Sequence, residues 1–558
     1  MGKWRIFLGD YEEAFRESLK LVRHQRVILR IWNKDYTLWS EDPKEITDRL
    51  DWLEAPCRMQ GMIGILNQLA DDVRKTGFTR TVLLGMGGSS LAPLMFSEAF
   101  PKEKDSLPLC VLDTTDPEEI RACTDDPRTT LYIVSTKSGT TLETAVLFRY
   151  FYTLLKEIGV ENPGTHFIAI TDPGSPLVRE VQRYHFRNIF GNNPNLGGRY
   201  SIFSFFGLLP ASLLGVDLLA LLKEAQKGME MCFPDHPLED NEGAILGTFL
   251  GSLALSGCDK AILLFPSAQF ATFGMWLEQL IAESTGKNGK GILPVVKKHL
   301  VHFARKDVAY IVFFESENDN LLSFLETLES NGSPYIAIPI ETPYALGKQA
   351  YLFAFAVALA GYLIGINPFD QPDVELTKRF TREILRAGKE KLPESVQSNE
   401  ALAFLWEEDV SSLREALESF TSRLKPDGYL AIQAFTPYNA ALSRVLEILA
   451  TRLEEKYKTV VSLGYGPRYL HSTGQLHKGD GGKGSFLQII TVSDEDLPIP
   501  DEAGKPKSSL SFGTLKMIQA LADREALRER GRNTLTLVVS NTKAAEALEQ
   551  IATLLTKK

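Results

Sequence analysis

The chain has 558 residues, too many for one compact domain, so two or three domains are expected. Apolar residues make up 44% of it and charged residues 24%, which suits a globular protein with buried cores. Lys plus Arg number 61 against 71 Asp plus Glu, a net charge of −10; this argues against an overall nucleic-acid-binding surface, but a few local donors can still hold a small anionic substrate.

In chain order, residues 1–74 read as a helical segment, with apolar positions three and four apart over 12–23 and 46–75. From residue 80 short apolar runs alternate with helical stretches: 81–84 (TVLL), 109–112 (LCVL), 131–134 (LYIV) and 167–170 (FIAI). Each ends in Gly, Asp, Ser or Thr, the pattern of parallel strands with crossover helices, and 75–240 is expected to form one such domain. A second set, 261–265 (AILLF), 308–314 (VAYIVFF) and 335–340 (YIAIPI), ends in a helix at 344–366 and defines a domain over 241–390.

Residues 351–366 of that helix imitate a membrane span, but they are shorter than the roughly 20 residues a bilayer needs, and a buried core helix explains them better. The polar stretch 388–399 reads as a linker. A C-terminal α/β region over 400–558 carries strands at 429–434, 460–463, 486–492 and 535–539, with an exposed loop beginning at Asp494. The fold class is therefore α/β, with two parallel-sheet sandwich domains between a helical N-terminal segment and a C-terminal α/β region.

The five cysteines (Cys57, Cys110, Cys123, Cys232, Cys258) lie far apart without a CxxC pair, and read as buried apolar residues of a reducing compartment. No signal-peptide pattern opens the chain, and a cytoplasmic location without a membrane partner is expected.

Two turns stand out as anion sites. Gly85-Met86-Gly87-Gly88-Ser89-Ser90 follows the strand TVLL and opens a helix, where outward-facing N–H groups favour an anion. A purely structural turn and a dinucleotide site are the alternatives; Asp113 ends the next strand, where it could meet a ribose, but Ser90 replaces the third glycine of GxGxxG. Ser135-Thr136-Lys137-Ser138-Gly139-Thr140-Thr141 follows LYIV and precedes a helix. Five hydroxyls and a lysine exceed what one N-cap requires and suit a phosphate. No GxxxxGK[ST] run supports an ATP-type loop.

With GMGGSSLAP (85–93) and STKSGTT (135–141), three further blocks carry a resemblance: GGRYS (197–201), EQLIAESTGK (278–287) and NPFDQPDVE (367–375) with Lys378. Together they resemble the phosphoglucose isomerase family and its sugar-isomerase (SIS) domains. The C-terminal stretch 464–479 (GYGPRYLHSTGQLHKG) is similar to the isomerase portion of fused transaldolase–phosphoglucose isomerases, though 558 residues leave no room for a transaldolase barrel beside the isomerase.

The resemblance implies an aldose–ketose isomerase acting on a sugar phosphate without metal or redox cofactor, and allows a homodimer. It assigns Glu283 as the base that carries a proton between C2 and C1, and Arg199 as the cation that stabilises the enediolate. Thr136, Lys137, Ser138 and Thr141 would hold the phosphate beside Gly88 and Ser89. Gln279 and Gln371 would contact the sugar, and Lys378 would lie near the ring oxygen.

The family's ring-opening histidine lies between the glutamate and lysine blocks. Here only His299 and His302 fall there, in an unlike setting, so the role is assigned to His471, with His477 as the alternative. A non-catalytic sugar-phosphate-binding protein on the same domains is the competing reading; it would have no need of Glu283 and Arg199 together.

Overall fold

The computed structural model describes residues 4–101, 106–387, 402–406, 410 and 412–556, so the expected linker at 388–399 lies outside the described residues. Three five-stranded sheets organise the chain.

The first sheet is wholly parallel, in the order β3-β2-β4-β5-β6. Its strands are β2 (Arg80–Gly85), β3 (Leu109–Leu112), β4 (Thr130–Ser135), β5 (Phe167–Thr171) and β6 (Asn188–Gly191). The second runs β1-β10-β9-β7-β8 through β1 (Arg5–Phe7), β7 (Lys260–Leu264), β8 (Leu293–Lys297), β9 (Val308–Phe314) and β10 (Tyr335–Pro339). The third runs β11-β17-β14-β12-β13 through β11 (Leu402–Leu405), β12 (Tyr429–Phe435), β13 (Val460–Tyr465), β14 (Gly484–Val492) and β17 (Asn533–Ser540). Among the described strands of these three sheets, only the edge strands β1 and β11 run antiparallel to their neighbours. The Val- and Ile-rich runs form the interior strands because both faces of a parallel sheet are covered by helices.

The helices that bear on the site are α1 (Glu12–His24), α2 (Ile63–Lys75), α3 (Leu91–Ala99), α4 (Leu142–Glu157), α5 (Ala271–Thr285), α6 (Ala345–Ile364), α7 (Val374–Ala387) and α8 (Phe512–Glu529). Helix α6 is long and apolar enough to cross a membrane, but 89% of its apolar window is buried inside the protein. It lies in the core between the first two sheets, where its Ala358 carbonyl accepts the Trp39 indole N–H at 2.8 Å.

Three expectations need correction. The N-terminal segment is not helical throughout, because β1 adds an edge strand to the second sheet. The stretch from Asp494 is not a free loop: β15 (Pro498–Pro500) and β16 (Ser508–Ser511) pair as a hairpin docked on α4. There Arg149 and Lys156 donate to the Asp501 and Gly504 carbonyls at 2.9 and 3.1 Å, and Ile499 and Ala503 enter the core of the first sheet. The cysteines are not all unpaired and buried, since Cys110 and Cys123 are joined and Cys57 is exposed.

The third sheet is not an appendage. Tyr429, Val460, Leu476 and Phe486 share one core with Ile262, Val308 and Tyr310 of the second sheet, and Phe512 and Leu515 share another with β2 and β4.

Candidate active site

Both anion turns lie at the carboxyl edge of the first sheet. Gly85 and Ser135 are register partners on adjacent strands, so the turns that follow are neighbours, and Ser135 Oγ donates to the Ser89 carbonyl at 3.3 Å. In the second turn Thr136 Oγ1 and Thr141 Oγ1 lie 2.9 Å apart, as do Ser138 Oγ and Thr140 Oγ1. Among the described residues no side chain caps α4, so its first amides keep their donors for a ligand. The Lys137 ammonium is engaged elsewhere, by Asp172 and by the Pro194 carbonyl at 2.9 Å.

The first turn is packed too closely for side chains. A Cβ on Gly88 would strike the Gly198 carbonyl, and one on Gly87, at φ +54°, would stand 2.8 Å from Gln279 Nε2 and 2.9 Å from the His471 carbonyl. The glycines thus seat this turn against three other segments, GGRYS, α5 and the histidine-bearing stretch. Asp113 is buried and taken by Arg468 through two bonds of 2.7 and 2.8 Å and by the Ser90 hydroxyl, so it is not free to meet a ribose.

Gln279 and Glu283 occupy one face of α5, one turn apart. Gln279 Nε2 donates to Glu283 Oε2 at 3.0 Å and to the His471 carbonyl at 2.9 Å. Across from them Arg199, 3% exposed, brings Nη1 to 3.6 Å from Glu283 Oε1. Arg199 Nη2 donates to the carbonyls of Phe369 and Asp370 at 2.8 and 2.9 Å and to Gln371 Oε1 at 2.7 Å, which fixes the guanidinium. Arg199 Nη1 and Gln279 Oε1 are buried without a hydrogen bond among the described residues, leaving an open donor and an open acceptor beside the carboxylate. Lys287 lies beneath, bonded to Asp370 Oδ1 at 2.7 Å; burial and the Arg199 charge push its ammonium down to about 8 against the opposing pull of Asp370.

His471 reaches this cluster from the far end of the chain. Arg468 on Asp113 anchors its segment on one side, and Gln475 anchors it on the other, donating to the Gly286 carbonyl at 3.0 Å and to Asp373 at 2.7 Å. His471 Nε2 stands 3.2 Å from Glu143 Oε1, on the first turn of α4. Burial raises the Glu143 carboxyl, but the charge and hydrogen bond of His471, with a further bond from Gln519, outweigh burial and hold it below the usual range. The sequence reading did not pick out Glu143; it stands two residues after STKSGTT, where an acid reads as an ordinary first-turn residue.

The other candidate histidines are placed differently. His477 is buried among Tyr429, Tyr469 and Phe486, and burial with the nearby Lys478 and Arg532 charges holds it well below its ordinary value. His299 is exposed, and His302 meets Ser333 Oγ at 3.2 Å. Lys378 is not brought to the cluster: its side chain is 54% exposed and its ammonium bonds Glu375 at 2.6 Å on its own helix.

A model of the phosphoglucose isomerase family matches residues 71–324, which hold both anion turns, Arg199, Gln279 and Glu283; Gln371, Lys378 and His471 lie beyond. The chain is 26% identical over 456 residues to a glucose-6-phosphate isomerase of Clostridium novyi, covering 71% of this chain and 97% of that protein. It is 30% identical over 298 residues to one of Clostridium tetani, covering 46% and 66%. In fold it resembles a glucose-6-phosphate isomerase of Chlamydia trachomatis, with a TM-score of 0.56 at 18% identity over 68% of this chain and 87% of that one.

Proposed function

The chain belongs to the phosphoglucose isomerase family, and we propose that it interconverts glucose 6-phosphate and fructose 6-phosphate by proton transfer through a cis-enediol. The observation that carries this reading is the Glu283 carboxylate set against a buried arginine whose Nη1 has no hydrogen bond among the described residues. A base that takes a proton from C2 and returns it to C1 leaves negative charge on an oxygen between the two steps. A fixed guanidinium donor stabilises that charge without reorganising. The proposed chemistry thus draws its cation from Arg199 and calls for no metal or cofactor.

Thr136, Ser138, Thr141, Gly88 and Ser89 hold the phosphate in this reading, with the free amides of α4 supporting them. Lys137, assigned to the phosphate by the same block, would have to leave Asp172 and the Pro194 carbonyl to reach it. Gln279 and Gln371 receive sugar hydroxyls. His471, with Nε2 on Glu143, has Nδ1 left to exchange a proton with the ring oxygen. Lys378 enters by its place in the NPFDQPDVE block alone, and would have to leave Glu375 to reach the ring.

The same reading divides the chain into an N-terminal segment over 1–74, mostly helical after β1, sugar-isomerase domains over 75–240 and 241–390, and a C-terminal region over 400–558. It also includes a cytoplasmic location and a homodimer as its assembly.

The test is isomerase turnover of the purified protein beside Glu283→Gln. The amide keeps the shape but cannot accept a proton, so turnover should fall at least about a hundredfold with KM little changed. Wild-type turnover in the variant would remove Glu283 from its role. Tight sugar-phosphate binding without turnover in the wild type would instead make the chain a binding protein.

A further inference from the structure

Glu143 has a second buried partner. Gln519 on α8, 3% exposed, donates Nε2–H to the same Glu143 Oε1 at 2.6 Å, and its own Oε1 accepts the Thr115 hydroxyl at 2.7 Å. The two ends of an amide are chemically distinct, so the Thr115 hydroxyl on one end turns the NH2 end toward Glu143. Glu143 Oε1 therefore stands between two donors, Gln519 and His471, and cannot rotate toward one without loosening the other.

Helix α8 is itself pinned on both sides of Gln519. Three residues earlier Lys516 bonds Asp116 at 2.6 Å, and four residues later Asp523 bonds Lys478 and the Tyr469 hydroxyl at 2.7 Å each. At this spacing the three residues share one face of the helix. That face ties the first sheet to the segment that carries His471.

We propose that Gln519 is a positioning residue for ring opening: it fixes the rotamer of Glu143, which in turn holds His471 by Nε2–H and leaves Nδ1 for the sugar ring oxygen. Gln519 touches no reacting atom, and the inference rests on the ring-opening role of His471 given above. A buried glutamine that merely joined two domains would have no reason to donate to the same Glu143 oxygen as the imidazole.

Gln519→Leu keeps most of the volume and removes the amide. We expect turnover of cyclic glucose 6-phosphate to fall about tenfold, the loss of one hydrogen bond to a charged group. KM should hold, as should turnover of an open-chain aldose phosphate that bypasses ring opening. Adding Gln519→Leu to His471→Ala should cost nothing further, because the chain of contacts ends at the imidazole.

Thr115→Val frees the amide to rotate without touching α8, and should give the same selective loss in smaller measure. If Gln519→Leu does not fold, Thr115→Val decides by the same criterion. Equal losses on both substrates, an additive double variant, or unchanged cyclic turnover would each overturn the proposal. A selective loss in His471→Ala without one in Gln519→Leu overturns the Gln519 assignment alone. Equal losses in His471→Ala overturn the ring-opening role itself and this proposal with it.

Discussion

Two glutamates five residues apart on α5 show how far environment separates like side chains. Glu283 faces Arg199 and Gln279 in the site. Glu278 is closed in between α5 and β8, accepts one long bond from the Val296 N–H at 3.4 Å, and is pushed up to about 8 by burial, which that bond and Lys297 only partly oppose. A carboxyl raised from 4.5 to about 8 holds a proton in the folded protein that the unfolded chain releases between those two values. Stability from this group is complete below the lower value and is lost as pH rises through the upper one. Glu278→Gln should therefore flatten the pH dependence of thermal unfolding. It should raise Tm at pH 8 on the order of a few degrees and change little at pH 5; an unchanged slope would show that Glu278 is ionised when folded. Glu283, Arg199 and Gln279 were legible because each sits in a distinctive block of neighbours. Glu143 was not, since its role depends on an imidazole 328 residues away.

Among the elements, the interior strands were readable as apolar runs bounded by turn residues, while β1, β6, β8 and β11 were not. These four lie at sheet edges, where a strand is short and can be half-exposed, so the apolar signal is weak. The hairpin of β15 and β16 was hidden for a related reason. Its Asp-, Glu-, Lys- and Pro-rich composition reads as loop, and its docking rests on Ile499, Ala503 and bonds to the α4 side chains. The hydroxyl turn before α4 belongs to the substrate's non-reacting end in our reading. Replacing Ser138 and Thr141 together by Ala should raise KM for fructose 6-phosphate roughly tenfold with kcat nearly constant, and weaken inhibition by sugar-phosphate analogues equally. A fall in kcat at constant KM would move these hydroxyls toward the reacting carbons.

At the scale of the whole molecule, the C-terminal region closes the site from within the chain. Its cores merge with those of the first two sheets, and the His471 segment is bonded to Asp113, Glu143, Gly286 and Asp373 of the same chain. In our reading one chain therefore supplies both the base and the histidine. Mixing inactive Glu283→Gln and His471→Ala proteins, with denaturation and refolding to exchange any subunits, should restore no activity, because every site keeps one defect. Recovery of about a quarter of wild-type turnover or more, the statistical expectation for sites shared between subunits, would show that the histidine crosses between copies.

The sequence by itself determined the α/β class, the strand runs of the sheet interiors, and the blocks that hold Glu283, Arg199 and the anion turns, because these follow from local periodicity and from residues adjacent in the chain. The resemblance already pointed to His471 ahead of His477; only the tertiary structure decided that Lys378 stands apart with Glu375, that Asp113 belongs to Arg468, and that Glu143 and Gln519 stand behind the imidazole. Apart from the Lys378–Glu375 pair, those are contacts between residues hundreds of positions apart. They are set by how three sheets pack on one another, and no local pattern of side chains carries that information.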